Sequence, residues 1–392
     1  MMVREASGRA SVNLGGIAEA FETLLSHVWD KSVFFVSAGS ICRPILKKGE
    51  VTMKNTMKKL TALTAASALA LSLAACGGGT ATNTQAPAET GSDPIRVAVI
   101  KQMDHASLDE IASAITARLD EIMGEEAVSI EYQVTSGQND STVLRQLADQ
   151  AIADGADVII PIATAAAQIT AVSAEESRTP VVFAAISYPE TVELTGMDYV
   201  TGTSDALDTG LILDMMLTQN PEVEKVGLLY SLSEPNSEVP IAAAKDYLDG
   251  KGVNYVEATA NTNDEVIAAA STLIADGVDA IFTPTDNIIM NAELAIYEDL
   301  IAAGIPHYTG ADSFVRNGAF ATCGVNYTDL GAQTAELAYR AVTEGMDGLE
   351  DYYQVAGNII TVNTETAAGL GIDPAVFEGM GGEVVSVTTT ED

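Results

Sequence analysis

The chain has 392 residues, of which 47% are hydrophobic and 5% aromatic. That length is ample for sizeable cores and predicts two domains rather than one. Acidic residues outnumber basic ones by 55 to 19, a formal net charge of −36. Because so anionic a surface repels nucleic acid and anionic lipid, the composition argues against both as charge-recognised partners.

The chain near Met57 has the parts of an export signal in the right order. Two lysines follow Met57, and residues 60–73 form an apolar run shorter than the ~20 residues that cross a bilayer. The sequence Leu73–Gly77 then resembles the lipobox of bacterial lipoproteins. The resemblance implies cleavage of a signal peptide, residues 57–75, and a lipid on the sulfur of Cys76. We therefore expect a protein anchored by that lipid to the extracytoplasmic face of the cell membrane.

Residues on either side of this signal receive separate predictions. An export signal belongs at the start of a chain, so residues 1–56 are interpreted as a non-native extension from an upstream start codon. Residues 76–93 are mostly Gly, Thr, Ala, Asn, Gln and Pro, which favours a flexible tether between lipid and folded body.

The cysteines and histidines do not show the spacing of a metal site. Cys42, Cys76 and Cys323 form no CxxC pair, and His105 and His307 are far apart in sequence. Cys323 lies in an apolar run and is expected to be a core residue. We predict no metal, no cofactor and no disulfide within the mature chain, and structural roles for both histidines.

From Ile95 onward, apolar strand-like runs alternate with helical patterns. One helix is predicted at Ser107–Met123, with Ser107 and Glu110 as a capping box. The predicted strands are Ile95–Ile100, Ser129–Val134, Asp157–Ile162, Val181–Ile186, Val226–Tyr230, Val253–Val256, Ala280–Pro284 and Ile305–Tyr308. Such an alternation predicts parallel sheets covered on both faces by helices.

The chain also repeats itself. The segment Ala153–Pro161 recurs as Ala275–Pro284, and Ile95–Ile100 upstream corresponds to Val226–Tyr230. Several matches in the same order predict two similar α/β lobes. In open α/β sheets, ligands bind beyond the carboxyl ends of the strands. The loops after corresponding strands are polar in both halves, so we expect them to line one cleft.

Stretches throughout the body resemble, in order, the tryptophan/tyrosine-type substrate-binding proteins of ABC transporters. The matching stretches are His105–Asp109, Ile162–Gln168, Phe183–Ser187, Val200–Asp205, Pro284–Asn287, Ala311–Ser313 and Asn326–Gly331. The resemblance extends from about Ile95 to Glu383. Two dipeptides depart from it: Thr164-Ala165, where members often have Thr-Pro, and Tyr188-Pro189, where they often have Asp-Pro.

The resemblance implies an α/β fold with two Rossmann-like lobes, parallel sheets and a hinge: the type I periplasmic binding protein architecture. It implies a first lobe of residues 94–204 and 325–352, and a second of residues 205–324 and 353–388. The implied function is the solute-binding component of an ABC importer. Such a protein, expected to be a monomer, delivers its ligand to permease and ATPase subunits, and an amino acid, possibly aromatic, is the leading ligand.

An amino acid needs an anion site and a cation site close together. Thr164 and Ala165 open a helix, where free amides and the helix dipole favour a carboxylate. Asp312 is the predicted partner of the ammonium. The full set of predicted ligand contacts is Thr164, Ala165, Ser187, Tyr188, Asn236, Asp286, Asn287, Asp312, Ser313 and Phe314.

Three alternatives stay open at the level of sequence. The same fold also suits a nucleoside, a sugar or a branched-chain amino acid. A pure ligand sensor would use the same closure of two lobes. An enzyme is disfavoured because the chain has no GxSxG, GxxxxGK, HExxH or CxxC motif.

Overall fold

A computed structural model describes residues 93–390. The predicted extension (1–56), the signal peptide (57–75) and Cys76 lie outside the described residues, as does all of the predicted tether except Asp93. Within residues 93–390, none of the helices combines the length and apolarity that a membrane span requires.

The described chain alternates strands and helices. The strands are β1 (Ile95–Lys101), β2 (Ile130–Ser136), β3 (Val158–Ile162), β4 (Val181–Phe183), β5 (Val200–Ser204), β6 (Lys225–Tyr230), β7 (Asn254–Thr259), β8 (Ala280–Thr283), β9 (His307–Thr309), β10 (Ala321–Val325), β11 (Tyr353–Gln354), β12 (Gly357–Asn363) and β13 (Glu383–Val387). The helices are α1 (Ala106–Glu126), α2 (Ser141–Ala153), α3 (Thr164–Ala174), α4 (Thr209–Gln219), α5 (Glu238–Lys251), α6 (Asn263–Asp276), α7 (Asn287–Ala303), α8 (Asp312–Arg316), α9 (Tyr327–Thr343) and α10 (Thr364–Leu370).

These strands form two sheets of the same design. The first has the order β2-β1-β3-β4-β5-β11, and the second β7-β6-β8-β9-β10-β12-β13. The first five strands of each sheet are parallel and follow one order, which confirms the predicted α/β fold of two Rossmann-like lobes. The second sheet is not wholly parallel, because β12 runs antiparallel to β10.

The chain passes between the lobes more than once. After β10 in the second sheet, α9 packs along α1 on the first lobe. The strand pairing differs from the predicted division at two places. Tyr353–Gln354, assigned to the second lobe, pairs with β5 of the first sheet. Val325, assigned to the first lobe, ends β10 of the second.

Burial follows the predicted pattern. All five residues of β3 are buried, as expected of a central strand covered on both faces. Helix α1 buries Leu108, Ile111, Ile115, Leu119 and Ile122 on one face. Each such side chain contributes roughly 1.5–3 kcal/mol when fully buried, so this face fixes α1 against the first sheet.

The predicted capping box at the start of α1 is wrong. The helix begins at Ala106 with His105 as its N-cap, and His105 makes no capping bond through its side chain. Ser107 is instead inside the first turn, and its hydroxyl bonds to the hydroxyl of Ser313. Glu110 accepts from Thr328 and pairs with Arg316. These side chains serve contacts between segments rather than the end of their helix.

Candidate functional site

A cavity lies where the carboxyl ends of the two sheets face each other. Its residues follow β1, β3, β4 and β5 in the first lobe and β6, β8 and β9 in the second, the position at which open α/β sheets bind ligands. A water-sized molecule can occupy only about 20 Å³ of this cavity. It is lined by His105, Ser107, Leu108, Ile111, Ala163, Thr164, Ala185, Asp205, Asn236, Thr285, Asp286, Asn287, Met290, Ala311, Phe314 and Tyr327. On this measure the space holds about one water molecule, so the lobes or the lining side chains must move before a larger ligand fits.

Hydrogen bonds join the lobes around this cavity. They connect His105 Nε2 to Asn287 Oδ1 (3.0 Å), Ser107 Oγ to Ser313 Oγ (2.5 Å), Gln102 Nε2 to Glu234 Oε1 (2.9 Å) and Ser187 Oγ to Thr285 Oγ1 (3.2 Å). Apart from the half-buried Thr285, all of these residues are buried. The described conformation is therefore closed, and a ligand enters the cavity only when the lobes separate.

Asp205 is a buried carboxylate without a cation. It directly follows β5 of the first sheet and bonds to residues of the first lobe, although the predicted division began the second lobe at this residue. It is 3% exposed. Its Oδ1 accepts from Ser187 Oγ at 2.8 Å, and its Oδ2 accepts from Tyr327 OH at 3.0 Å. Burial raises the pKa of this carboxyl, while the two hydroxyl donors oppose the rise. Among the described residues no basic side chain pairs with Asp205. A buried carboxylate with only neutral partners would be stabilised by a positively charged group of a ligand.

Two further acceptors of the cavity lack partners. His105 Nδ1 and Asn236 Oδ1 are buried with no hydrogen-bond partner in the described structure. Burial lowers the pKa of His105 to about 4, so the ring is neutral near pH 7. Asn287 Nδ2 donates to Glu234, so its Oδ1 must accept from His105 Nε2–H. The Nδ1 atom is then the unprotonated nitrogen, which accepts a proton donor from a ligand.

A negatively charged ligand group, such as a carboxylate, would meet hydrogen-bond donors at the start of α3. The amides of the first turn have no acceptor inside their own helix, and the helix dipole is positive there. Thr164 lines the cavity at this end. The Ala165 amide is already engaged, since it donates to Gln102 Oε1 at 3.0 Å. Thr164, rather than Ala165, therefore offers its hydroxyl and amide to a carboxylate.

Strained backbone marks the same wall. Ala163, before α3, has φ +74° and ψ +163°, and Ala185, after β4, has φ +58°. Residues with a side chain rarely adopt a positive φ, and such backbone conformations cost of order 1–3 kcal/mol. Both alanines line the cavity. Strain held by the surrounding structure is typical of ligand-binding sites.

The structure brings together half of the predicted ligand contacts. Those that line the cavity are Thr164, Asn236, Asp286, Asn287 and Phe314. Those not found in its lining, among the described residues, are Ala165, Ser187, Tyr188, Asp312 and Ser313. Ser187 and Ser313 lie just behind it, bonded to Asp205 and Ser107. Tyr188 donates weakly to the Leu207 carbonyl at 3.5 Å.

Asp312, the predicted partner of a ligand ammonium, already has a cation. Its Oδ2 accepts from Arg316 Nη1 at 2.5 Å. Arg316 in turn pairs with Glu110 of the first lobe. Arg316 thus compensates the charge of Asp312 only in part, and Asp312 Oδ1 is buried without a hydrogen-bond partner in the described structure. Asp312 does not line the cavity, however, so Asp205 is better placed to meet a ligand cation.

Asp286 has its full complement of donors. Its oxygens accept from the amides of Ser231, Ile288 and Ile289 and from the hydroxyl of Ser237. All four donors belong to the second lobe. Asp286 therefore caps α7 and fixes the loop after β6, although it also lines the cavity.

Sequence reasoning missed Asp205, Tyr327, Gln102 and Glu234 and gave His105 a structural role. Asp205 and Tyr327 lie in the resembling stretches Val200–Asp205 and Asn326–Gly331. Each follows closely on the end of a strand, β5 or β10, and that position is the signal in the sequence that points to them.

Known proteins are similar to this chain over most of the described body. A sequence model of the family described as ABC transporter substrate binding protein matches residues 96–373. A tyrosine-binding protein of Clostridioides difficile is 28% identical over 255 residues, which are 64% of this chain and 72% of the relative.

Solved structures share the architecture. The ABC domain of a Streptococcus pneumonia protein in complex with L-Trp is 25% identical, with a TM-score of 0.66 over 74% of this chain and 100% of that one. A ligand-free, open substrate-binding protein with adhesive properties from Clostridium difficile is 24% identical, with a TM-score of 0.57 over 75% of this chain and 99% of that one.

Proposed function

The chain belongs to the family of ABC transporter substrate-binding proteins, and from this premise we propose that its ligand is an L-amino acid, with an aromatic side chain preferred. The family match covers residues 96–373, which include every residue that lines the cavity. The family's members bind a solute outside the cytoplasm for an ABC transporter. The proposal concerns the kind of solute.

The observation that carries this proposal is the unpaired charge of Asp205. An α-ammonium group supplies the missing cation and three N–H donors. His105 Nδ1 and Asn236 Oδ1 are two more acceptors on the same cavity. A sugar or a neutral nucleoside would leave the carboxylate buried and uncompensated, which costs several kcal/mol.

The other residues that line the cavity supply partners for the remaining parts of an amino acid. Thr164 and the N-terminal turn of α3 supply donors for the carboxylate. Leu108, Ile111, Met290 and Phe314 provide an apolar wall for the side chain. The tyrosine-binding relative and the neighbour with bound L-Trp support an aromatic ligand.

The setting of the protein is part of the proposal. We infer that a lipid on Cys76 anchors the mature chain, that residues 1–56 are absent from it, and that it works as a monomer. The closed lobes would present the ligand to permease and ATPase subunits of an importer. Mass spectrometry of the protein from its host tests the processing, and a peptide from residues 1–56 would contradict it.

Titration calorimetry tests the ligand class. We expect L-tryptophan or L-tyrosine to bind, and indole-3-propionate, which lacks the ammonium, to bind about 100-fold more weakly or worse. Tryptamine, which lacks the carboxylate, tests the site at α3 in the same way. Binding of glucose or adenosine, with no binding of any amino acid, would contradict the proposal.

A further inference from the structure

Glu234 is a second buried carboxylate between the lobes, and the ligand site leaves it unexplained. It follows β6 in the second lobe and is 4% exposed. It does not line the ligand cavity. Its two oxygens accept from side-chain amides: Oε1 from Gln102 Nε2 at 2.9 Å, and Oε2 from Asn287 Nδ2 at 2.6 Å. Among the described residues no basic side chain bonds to it.

One of these bonds crosses between the lobes, and the other lies within the second lobe but is oriented by a contact that crosses. Gln102 belongs to the first lobe and also accepts from the amide of Ala165 at the start of α3. Asn287 belongs to the second lobe, but its carbonyl oxygen accepts from His105 of the first. The first lobe thus contacts Glu234 in two ways: directly through Gln102, and indirectly through His105, which bonds to Asn287. Separation of the lobes removes Gln102 and admits water to the carboxylate.

We propose that Glu234 takes up a proton when the lobes close, so that ligand capture is coupled to protonation. A carboxylate enclosed without a cation loses its hydration, which disfavours the charged form. Each carboxyl oxygen has more than one acceptor site, so the protonated group keeps both amide bonds. The inference rests on the proposed function only in using ligand binding to drive closure.

The negative charge of Asp286 favours the neutral form of Glu234 further. The titratable and charged groups on the elements around it are Lys101 at the end of β1, His105 before α1, Asp286 before α7, and Glu238 and Lys245 on α5. Burial and the negative charge of Asp286 raise the pKa of Glu234 to about 8. Burial raises the pKa of the Asp286 carboxyl as well, but four hydrogen-bond donors, two on each of its oxygens, oppose that rise. Of the two carboxyl groups, Asp286 is therefore the one better stabilised in its charged form. Lys101 is occupied by Asp104 and Asp109.

The sign of the pH effect follows. In the open state the Glu234 carboxyl has access to water, and its pKa moves toward the ordinary 4.5. Closure then binds a proton at any pH between that value and about 8. The closed state is favoured fully below this window and less as pH rises through it. His105 acts oppositely, since closure lowers its pKa from 6.5 to about 4 and releases a proton. Above pH 7 only the Glu234 effect remains.

Titration calorimetry of the full-length protein with L-tryptophan and L-tyrosine measures the coupling. At pH 7.5, buffers of different ionisation enthalpy should show uptake of roughly 0.8 proton per ligand bound. Affinity should fall roughly eightfold between pH 7.0 and 8.5. Glu234→Gln cannot titrate, so it should bind ligand with no uptake and with affinity constant within about twofold over that range, although its amide nitrogen replaces an oxygen that accepts a hydrogen bond and weakens binding at every pH. The matched control is Glu238→Gln, an exposed carboxylate close by in the same segment, which should behave like the wild type.

The outcomes separate this inference from the function on which it rests. Binding without proton uptake in the wild type, or unchanged uptake in Glu234→Gln, would overturn the inference and leave the ligand assignment intact. If neither amino acid binds, the ligand assignment fails. Small-angle X-ray scattering of the free protein then tests whether closure still depends on protonation of Glu234. A smaller radius of gyration at pH 7.0 than at pH 8.5, abolished by Glu234→Gln, supports proton-coupled closure, and equal radii refute it.

Discussion

Asp205 and Asp286 stand on opposite walls of one cavity, and their hydrogen bonds show that burial alone does not identify a ligand contact. Asp286 accepts four donors, three of them backbone amides of its own lobe. Asp205 accepts two hydroxyl groups and has no cation. On the wall of the second lobe, the protein itself supplies enough donors to stabilise the charge of Asp286. On the wall of the first lobe, Asp205 still lacks a positive partner, which a ligand would supply.

The largest effect is expected from Asp205→Asn. The change keeps the shape of the side chain but removes the charge that faces the ammonium, so affinity for L-tryptophan or L-tyrosine should fall about 100-fold or more. The matched control is Asp312→Asn, whose charge is already paired with Arg316 and whose loss should change affinity less than about fivefold. Calorimetry on both variants checks the contrast. Equal losses of affinity in the two variants would contradict the conclusion that Asp205, and not Asp312, is the partner of the ammonium.

A second variant probes the opposite wall. Asp286 accepts four hydrogen bonds, and Asp286→Asn removes its charge and replaces one accepting oxygen by a donor. The free energy of unfolding should therefore fall by about 2–4 kcal/mol. We expect the melting temperature to fall by about 5 °C or more in scanning calorimetry. The exposed helix cap Asp140 is the control, because Asn caps a helix about as well as Asp. A stable Asp286→Asn protein that does not bind would assign this residue to the ligand instead.

A smaller effect is expected from the ion pair between Arg316 and Glu110, which joins the lobes outside the cavity. Arg316→Gln should weaken ligand binding by up to about fivefold, since partly exposed pairs contribute about 0.2–1 kcal/mol. Added salt should reduce the difference in ligand affinity between this variant and the wild type, because salt screens the ion pair. Arg178, which pairs with Asp198 within the first lobe, is the matched control, and Arg178→Gln should leave affinity unchanged. Similar losses in both would show that the cross-lobe pair has no special part in closure.

Much of the fold is predictable because its signals are local. Apolar runs such as Val158–Ile162 and the helical face of α1 specify buried strands and covered sheets directly. The duplication of Ala153–Pro161 as Ala275–Pro284 predicts two lobes of one topology. The short strand Tyr353–Gln354 carries no such signal, because its pairing with β5 is decided by where the returning chain lies.

The site was predictable only in part, because charge compensation is a tertiary property. The sequence places Thr164 and Asn287 after strands, and both line the cavity. It does not show that Arg316 neutralises Asp312, a contact between successive turns of a short helix. Nor does it show that Asp205 meets only hydroxyl groups, since Tyr327 lies far along the chain.

Closure of the two lobes over a ligand is tested most directly by a cross-lobe disulfide. The hydroxyl groups of Ser107 and Ser313 are 2.5 Å apart between the lobes, which places their Cβ atoms near the spacing that a disulfide requires. In the variant Ser107→Cys/Ser313→Cys, oxidation before the addition of L-tryptophan or L-tyrosine should abolish binding, and reduction should restore it. Oxidation after addition should trap the amino acid against dialysis. An oxidised, ligand-free variant that binds as well as its reduced form would contradict the account.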